Sequence, residues 1–139
     1  MGTDENALRQ QAKELLLRFK GDDYAFGLGV MEKAGSFAKE AGNSCLVVAS
    51  SSPWFRPYLD RILASLKSHC VELAGARIVS GVSPNAPRED VYRIATYILQ
   101  HKPACLMAVG GGSVIDAVKA ANVLASLGRW EPELEPYFG

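Results

Sequence analysis

A continuous apolar run, cut by three glycines and followed at once by helical spacing, constrains this chain more than any other stretch. Ala104, Cys105, Leu106, Met107, Ala108 and Val109 show no polar alternation, and Gly110, Gly111 and Gly112 interrupt them. From Ser113 onward the apolar residues return as Val114, Ile115, Val118, Ala121 and Ala125. This pattern predicts a parallel strand covered on both faces, a glycine turn, and a helix with one buried stripe. Glycines permit positive φ and leave no Cβ over the helix start. Exposed N–H groups and the positive end of the helix dipole favour an anion there, most often a phosphate. A plainer reading stands beside this one. Ser113-Val-Ile-Asp116 fits the capping-box pattern, under which the stretch does no more than start a helix. Neither G-x-x-x-x-G-K-[ST] nor a G-x-G-x-x-G after the first strand occurs.

The rest of the chain repeats the strand-then-helix alternation. Leu8, Ala12, Leu15, Leu16 and Phe19 fall at helical intervals, so residues 4–20 read as an amphipathic helix with Asp4 as N-cap, in need of a surface to cover. Tyr24 to Phe26 reads as a short strand ending in a turn at Gly27 to Gly29. Val30 to Ala41 reads as a helix stopped at Gly42, a residue suited to the left-handed C′ position. Cys45 to Ala49 is a second buried strand running into Ser50-Ser51-Ser52-Pro53. Leu59, Ile62, Leu63 and Leu66 mark a helix to about Ser68, with Trp54 and Phe55 as core or interface anchors near its start. A third strand is expected at Ala76 to Val79 and a loop at Gly81 to Pro87. A helix opened by Pro87, Glu89 and Asp90 should follow, carrying Val91, Ile94, Ala95 and Ile98.

Four strands alternating with helices imply an α/β fold: a parallel sheet with right-handed crossovers and helices on both faces, in three layers. Ligands bind such sheets beyond the carboxyl ends of the strands. The predicted site therefore gathers the loops Gly27 to Gly29, Ser50 to Ser52, Gly81 to Pro87 and Gly110 to Ser113. At 139 residues the chain reads as one domain, with an N-terminal helix within residues 1–23 and an irregular end at residues 129–139.

Fifteen basic against fifteen acidic residues leave no net charge to attract a polyanion, so no nucleic-acid partner is expected. No apolar run approaches the ~20 residues that cross a bilayer, and no membrane partner is expected. Cys45, Cys70 and Cys105 are odd in number and far apart, which argues for reduced, buried thiols in a cytoplasmic protein. The two histidines stand apart near helix ends, and no metal site is expected in this chain.

Gly110-Gly-Gly-Ser113-x-x-Asp116-x-x-Lys119-Ala120 resembles the GGGS-x-x-D-x-x-K signature of the iron-containing alcohol dehydrogenases, in the superfamily that includes dehydroquinate synthase and glycerol dehydrogenase. Phe26-Gly-x-Gly29, Leu46-Val-Val, Ser83-Pro-Asn85-x-Pro87 and Tyr137-Phe138-Gly139 recur in that family's order, and the likeness covers about residues 24–139. The resemblance implies the Rossmann-like, nicotinamide-cofactor-binding half of an oxidoreductase acting on an alcohol or aldehyde. The iron or zinc would be held by an Asp and three His in a helical half that this sequence lacks, along with the TT-x-GTGS-type stretch that usually completes the cofactor cleft. This chain by itself would then hold no catalytic residue and be inactive. Gly110, Gly111, Gly112 and Ser113 would contact the pyrophosphate of NAD or NADP. Asp116 would lie toward the nicotinamide, Asn85 would approach from the neighbouring loop, and Lys119 would be solvated or paired with Asp116. The family often carries an Asp at the end of the second strand, where it accepts from the ribose 2′-OH. Here Ser50 stands in that place, with Arg56 nearby, so NADP fits as well as NAD. A homo-oligomer, most simply a dimer, is expected. The alternative to an enzyme half is a stand-alone nucleotide-binding module without catalysis.

Overall fold

The computed structural model describes residues 4–127. The expected irregular end at 129–139, with Tyr137, Phe138 and Gly139, lies outside these residues. Two strands carry the sheet: β1 (Ser44–Ala49) and β4 (Cys105–Val109) run parallel and pair residue for residue from Cys45↔Cys105 to Ala49↔Val109. On its other flank β1 pairs with two short segments in succession, β2 (Glu72–Leu73) and β3 (Val79–Ser80), both parallel to it. Among the described residues no strand lies on the far side of β4.

Among the described residues five α-helices accompany the strands: α1 (Glu5–Lys20), α2 (Ala34–Ala41), α3 (Arg56–Ser68), α4 (Arg88–His101) and α5 (Gly112–Leu127). Alternation along β1 sorts the core into two halves, as period-two geometry requires. Leu46 and Val48 face α4 and α5, joining Val91, Ile94, Ala95, Val114, Ala117, Val118, Ala121 and Leu124. Cys45, Val47 and Ala49 face α2 and α3, joining Ala38, Leu59, Ile62 and Leu66. The result is a helix–sheet–helix sandwich of three layers. Among the described residues no helix is long and apolar enough to cross a membrane.

Several expected elements change form. Tyr24 to Phe26 forms no strand, because no neighbouring backbone pairs with it; Phe26 is 73% exposed. The helix expected from Val30 begins as a 3₁₀ turn at Val30–Lys33 and becomes α-helical at Ala34. Gly42 does end it, at φ 151° and not in the left-handed helical region, and a Cβ there would meet that of Ala104 at 2.5 Å. The third strand is split: Gly75 (φ 71°) and Ala76 (φ 55°) form a left-handed turn between β2 and β3, so only Val79 of the expected run is in the ladder. Trp54 is 66% exposed and meets Phe55 at a tilt and Tyr58 edge-on instead of entering the core.

Within α5, Ile115 faces outward and Ala125 is half-buried, while Ala117 and Leu124 complete the stripe. The strand β4 is half-buried along its whole length, consistent with its open flank. Asp4 caps α1 as expected, accepting from the Asn6 N–H at 3.1 Å. That helix buries none of its residues, so its apolar stripe covers no part of the core described above. Of the thiols, Cys45 is buried, Cys105 half-buried and Cys70 exposed, against the expectation of three buried cysteines. Burial, reinforced by Cys105 alongside, pushes the Cys45 thiol up to about 12, so it is a packing group and not a nucleophile.

Candidate functional site

The carboxyl ends of β1, β3 and β4 open on one side of the sheet, and three loops leave from them. The Ser50 N–H donates to the Val109 carbonyl at 2.9 Å, which holds the serine loop beside the glycine turn. Gly81 seals the other side of β1: a Cβ there would meet the Ala49 carbonyl oxygen at 2.7 Å and Ser50 Cα at 3.0 Å. The loop after β3 then crosses to α5, where the Asn85 N–H donates to Ser113 Oγ at 3.3 Å. Ser50, Asn85, Gly110 and Ser113 are thus gathered by direct contacts around one strand end. Gly111 and Gly112 follow between Gly110 and Ser113, and Asp116 stands exposed one turn into the helix.

The three glycines differ in what they do. Gly110 is required by close approach, since a Cβ would sit 2.9 Å from Val114 Cγ2. Gly111 and Gly112 do not have the positive φ foreseen for the turn. Around each of them a Cβ would meet no protein atom within 4 Å. The space above the start of this 16-residue helix is therefore open, and helix geometry leaves its first amides, those of Gly112 and Ser113, without an i−4 carbonyl inside the helix. The Gly111 carbonyl accepts from the Val114 and Ile115 N–H groups, so the helix begins at the glycines. Ser113 accordingly lies inside α5 instead of before it, and its hydroxyl serves Asn85; the capping-box reading is corrected on that point. Open space, unpaired amides and a helix dipole together suit a phosphate or pyrophosphate.

A shallow cavity of about 550 Å³ extends from this point along Ser50, Ser51, Ser52, Arg56, Ile78 and Ser80. The Ser50 hydroxyl accepts from the Ser52 N–H at 3.4 Å and lies 3.3 Å from Ser52 Oγ. Arg56 pairs with Asp60 at 3.0 Å, with both side chains mostly in solvent. Such exposed pairs are worth about 0–1 kcal/mol, so the guanidinium can exchange partners at little cost. The Gly27 to Gly29 turn, expected as a fourth wall, faces elsewhere: Gly27 and Leu28 line a cavity against α1, and only Ala25 and Val30 of that region reach the apolar groove that Gly110 lines. Lys119 is exposed. Among the described residues no group of three or more His, Cys, Asp or Glu comes together as a metal site. His69 Nδ1 lies 2.9 Å from the Ser65 carbonyl, and His101 stacks on Tyr97.

Two residues missed in the sequence hold the loop after β3. Arg93 donates to the carbonyls of Ser80 (3.1 Å) and Gly81 (2.9 Å) and to the Asp90 carboxylate (2.9 Å). Asp90 in turn accepts from the Ser83 N–H at 2.9 Å. The Ser83 amide and then the Arg93 guanidinium hold the Asp90 carboxyl below the ordinary carboxylate value, so its contribution is present above that value and is lost on acidification. Their i, i+3 spacing on a helix is a signal for the pair. Nothing local in the sequence marks the reach back to the strand end.

Comparison with known proteins identifies the family and the fold. The family model described as iron-containing alcohol dehydrogenase matches residues 22–137. An NADPH-dependent butanol dehydrogenase of Clostridium saccharobutylicum is 31% identical over 98 residues, 70% of this chain and 24% of its own. The NADH-dependent butanol dehydrogenase A of Thermotoga maritima superposes with a TM-score of 0.62 at 31% identity, again over 70% of this chain and 24% of that one. An iron-containing alcohol dehydrogenase of Thermococcus thioreducens shares the fold, with a TM-score of 0.65 at 24% identity over 76% of this chain and 27% of its own. The chain thus spans about a quarter of the length of these relatives. On the family match and the shared parallel sheet, this chain belongs to the iron-containing alcohol dehydrogenase family.

Proposed function

We propose that this chain is the dinucleotide-binding portion of an NAD(P)-dependent alcohol dehydrogenase. In that role Gly110, Gly111, Gly112 and Ser113 receive the pyrophosphate, Asn85 approaches from the side, Asp116 lies toward the nicotinamide, and Ser50 faces the adenosine ribose. The observation that carries this reading is the open space over Gly111 and Gly112 at the start of α5, which the surrounding protein leaves unfilled. Bound there, the dinucleotide would supply hydride chemistry between an alcohol and its aldehyde. The chain's own residues bind and orient it. Titration calorimetry with NADPH and NADH tests this directly; no heat with either, on folded protein, would refute it.

Cofactor choice rests on Ser50. The relatives' names include both an NADPH-dependent and an NADH-dependent enzyme, and the cavity beside Ser50 is lined by hydroxyls and Arg56 instead of a carboxylate. A ribose 2′-phosphate is accepted there as readily as a hydroxyl. Ser50→Asp is expected to shift the ratio of the two dissociation constants toward NAD by about 1–3 kcal/mol, roughly five- to 150-fold. An unchanged ratio would mean that position 50 does not face the ribose.

The 139 residues by themselves are proposed to bind the cofactor without oxidising alcohol. Their span of about a quarter of the relatives' length supports this, with iron or zinc held by the remaining part of such a polypeptide. We further propose a cytoplasmic, self-associating protein, at least a dimer, without nucleic-acid or membrane partners. Three free cysteines, balanced charge and the exposed apolar residues Leu15, Phe19, Phe26 and Trp54 support it. Light scattering and metal analysis on purified chain should show an oligomer with no stoichiometric iron or zinc and no turnover of a simple alcohol. A strict monomer would contradict the first claim, and one tightly bound metal with turnover would contradict the others.

A further inference from the structure

The loop between β3 and α4 is the least regular part of the site and the most heavily tethered. Asn85 and Ala86 both adopt positive φ, 66° and 46°, without being glycine. Such conformations are sparsely populated outside glycine and persist where the surroundings impose them. The imposing contacts come from one face of α4. The Arg93 guanidinium spans the end of β3, giving Nη1 to the Ser80 carbonyl and hydroxyl and Nη2 to the Gly81 carbonyl and to Asp90 Oδ1. Asp90 uses its other oxygen, Oδ2, to accept from the Ser83 N–H. The Ser83 carbonyl then accepts from the Ala86 N–H at 3.2 Å, and the Asn85 N–H reaches Ser113 Oγ. The Arg93 and Asp90 side chains are partly shielded, at 33% and 19% exposure. Gly81, clamped by Arg93, is also the residue that abuts Ala49 and Ser50. One ion pair thus holds the loop directly at its contact with the serine turn and, through Ser83, two residues before its contact with Ser113.

We propose that Arg93 and Asp90 are a positioning pair for the dinucleotide cradle, holding the loop after β3 so that Asn85 stands against Ser113; the link to the cofactor rests on the function proposed above. Arg is the residue this needs, because its planar fork offers several donors in fixed directions, whereas an ammonium is a single point. Lysine keeps the charge and loses the fork. Neither residue touches the open space over Gly111 and Gly112, so the pair acts through Asn85 and Gly81 and not through contact with the ligand.

The test uses the full chain and the variants Arg93→Ala, Arg93→Lys, Asp90→Ala and the Arg93→Ala/Asp90→Ala double. Three readouts are taken: dissociation constants for NADPH and NADH by fluorescence titration, hydrogen–deuterium exchange, and Tm. Each single variant, Arg93→Lys included, should weaken both dinucleotides about tenfold without changing their ratio, and the double should lose little more than either single. Exchange of the Ser83, Asn85 and Ala86 amides should rise at least tenfold while β1 and β4 keep their protection. Unchanged loop exchange with unchanged affinity would overturn the proposal. So would a uniform rise in exchange with a lowered Tm, which would make the pair a general stabiliser, or full rescue by Arg93→Lys, which would reduce its role to charge. If the wild-type chain binds neither dinucleotide, the cofactor reading itself falls. The exchange experiment then still decides whether the pair positions the loop.

Discussion

Gly111→Val is expected to abolish dinucleotide binding while the chain stays folded. An added Cβ at this position meets no non-neighbouring atom within 4 Å, and its φ is not in the left-handed region, so the surrounding fold has room for a larger residue. Its carbonyl still starts α5 by accepting from Val114 and Ile115. Valine is a poorer residue than glycine at a helix start, by about 1 kcal/mol. The branched side chain nevertheless fills the volume over the first amides of the helix, where the pyrophosphate must approach. Affinity should fall by a hundredfold or more, on the order of 3 kcal/mol. Calorimetric titration alongside a thermal melt checks both halves. A folded variant with its affinity intact would show that the turn only joins strand to helix.

Gly35→Ala should have the largest effect on stability. At this crossing α2 lies directly on α3: the Gly35 N–H donates to Ser65 Oγ at 2.9 Å, and the Ser65 hydroxyl donates to the Glu32 carbonyl at 2.6 Å. A methyl on Gly35 would come within 2.6 Å of the Ser65 carbonyl carbon and 2.5 Å of His69 Nδ1, and closer still to the Ser65 carbonyl oxygen. The histidine ring can swing away; the backbone of α3 cannot without parting the two helices and breaking the Ser65 clasp. A cost of about 3 kcal/mol follows from overpacking against backbone. For a chain of this size that lowers Tm by roughly 10 °C. Circular dichroism melts decide it, and an unchanged Tm would mean that the crossing adjusts freely.

The parts of the fold that were legible in the sequence are those where one residue's neighbours in the chain determine its environment. The runs Cys45 to Ala49 and Ala104 to Val109 announce parallel strands, and the covering they imply is complete for β1 but only partial for β4, which is half-buried throughout. The stripes of α3 and α4 appear where the 3.6-residue period puts them: Leu59, Ile62 and Leu66, then Val91, Ile94 and Ala95. What was not legible depends on distant backbone. Tyr24 to Phe26 has strand-like residues but no ladder to join. The third strand is broken by a left-handed turn at Gly75 and Ala76, and a positive φ at an alanine leaves no trace in composition. Ser113 reads as a cap, yet the loop after β3 delivers Asn85 to its hydroxyl first. The convergence of Ser50, Asn85 and the glycine turn was foreseeable from the rule that loops gather at strand ends. The Arg93 clamp was not, since it depends on how α4 lies across the end of β3.

The asymmetry of the sheet has a thermodynamic consequence. One flank of β1 is closed by two interrupted ladders of two residues, whereas β4 runs unbroken for five and has no strand on its other side among the described residues. The apolar groove along that side is lined by Met107, Ala108 and Val109 and ends on Gly110, at the lip of the cradle. The groove and the proposed cradle therefore share a wall at Gly110. Whatever factor an occupant of the groove adds to dinucleotide affinity, the dinucleotide must return to the affinity of that occupant.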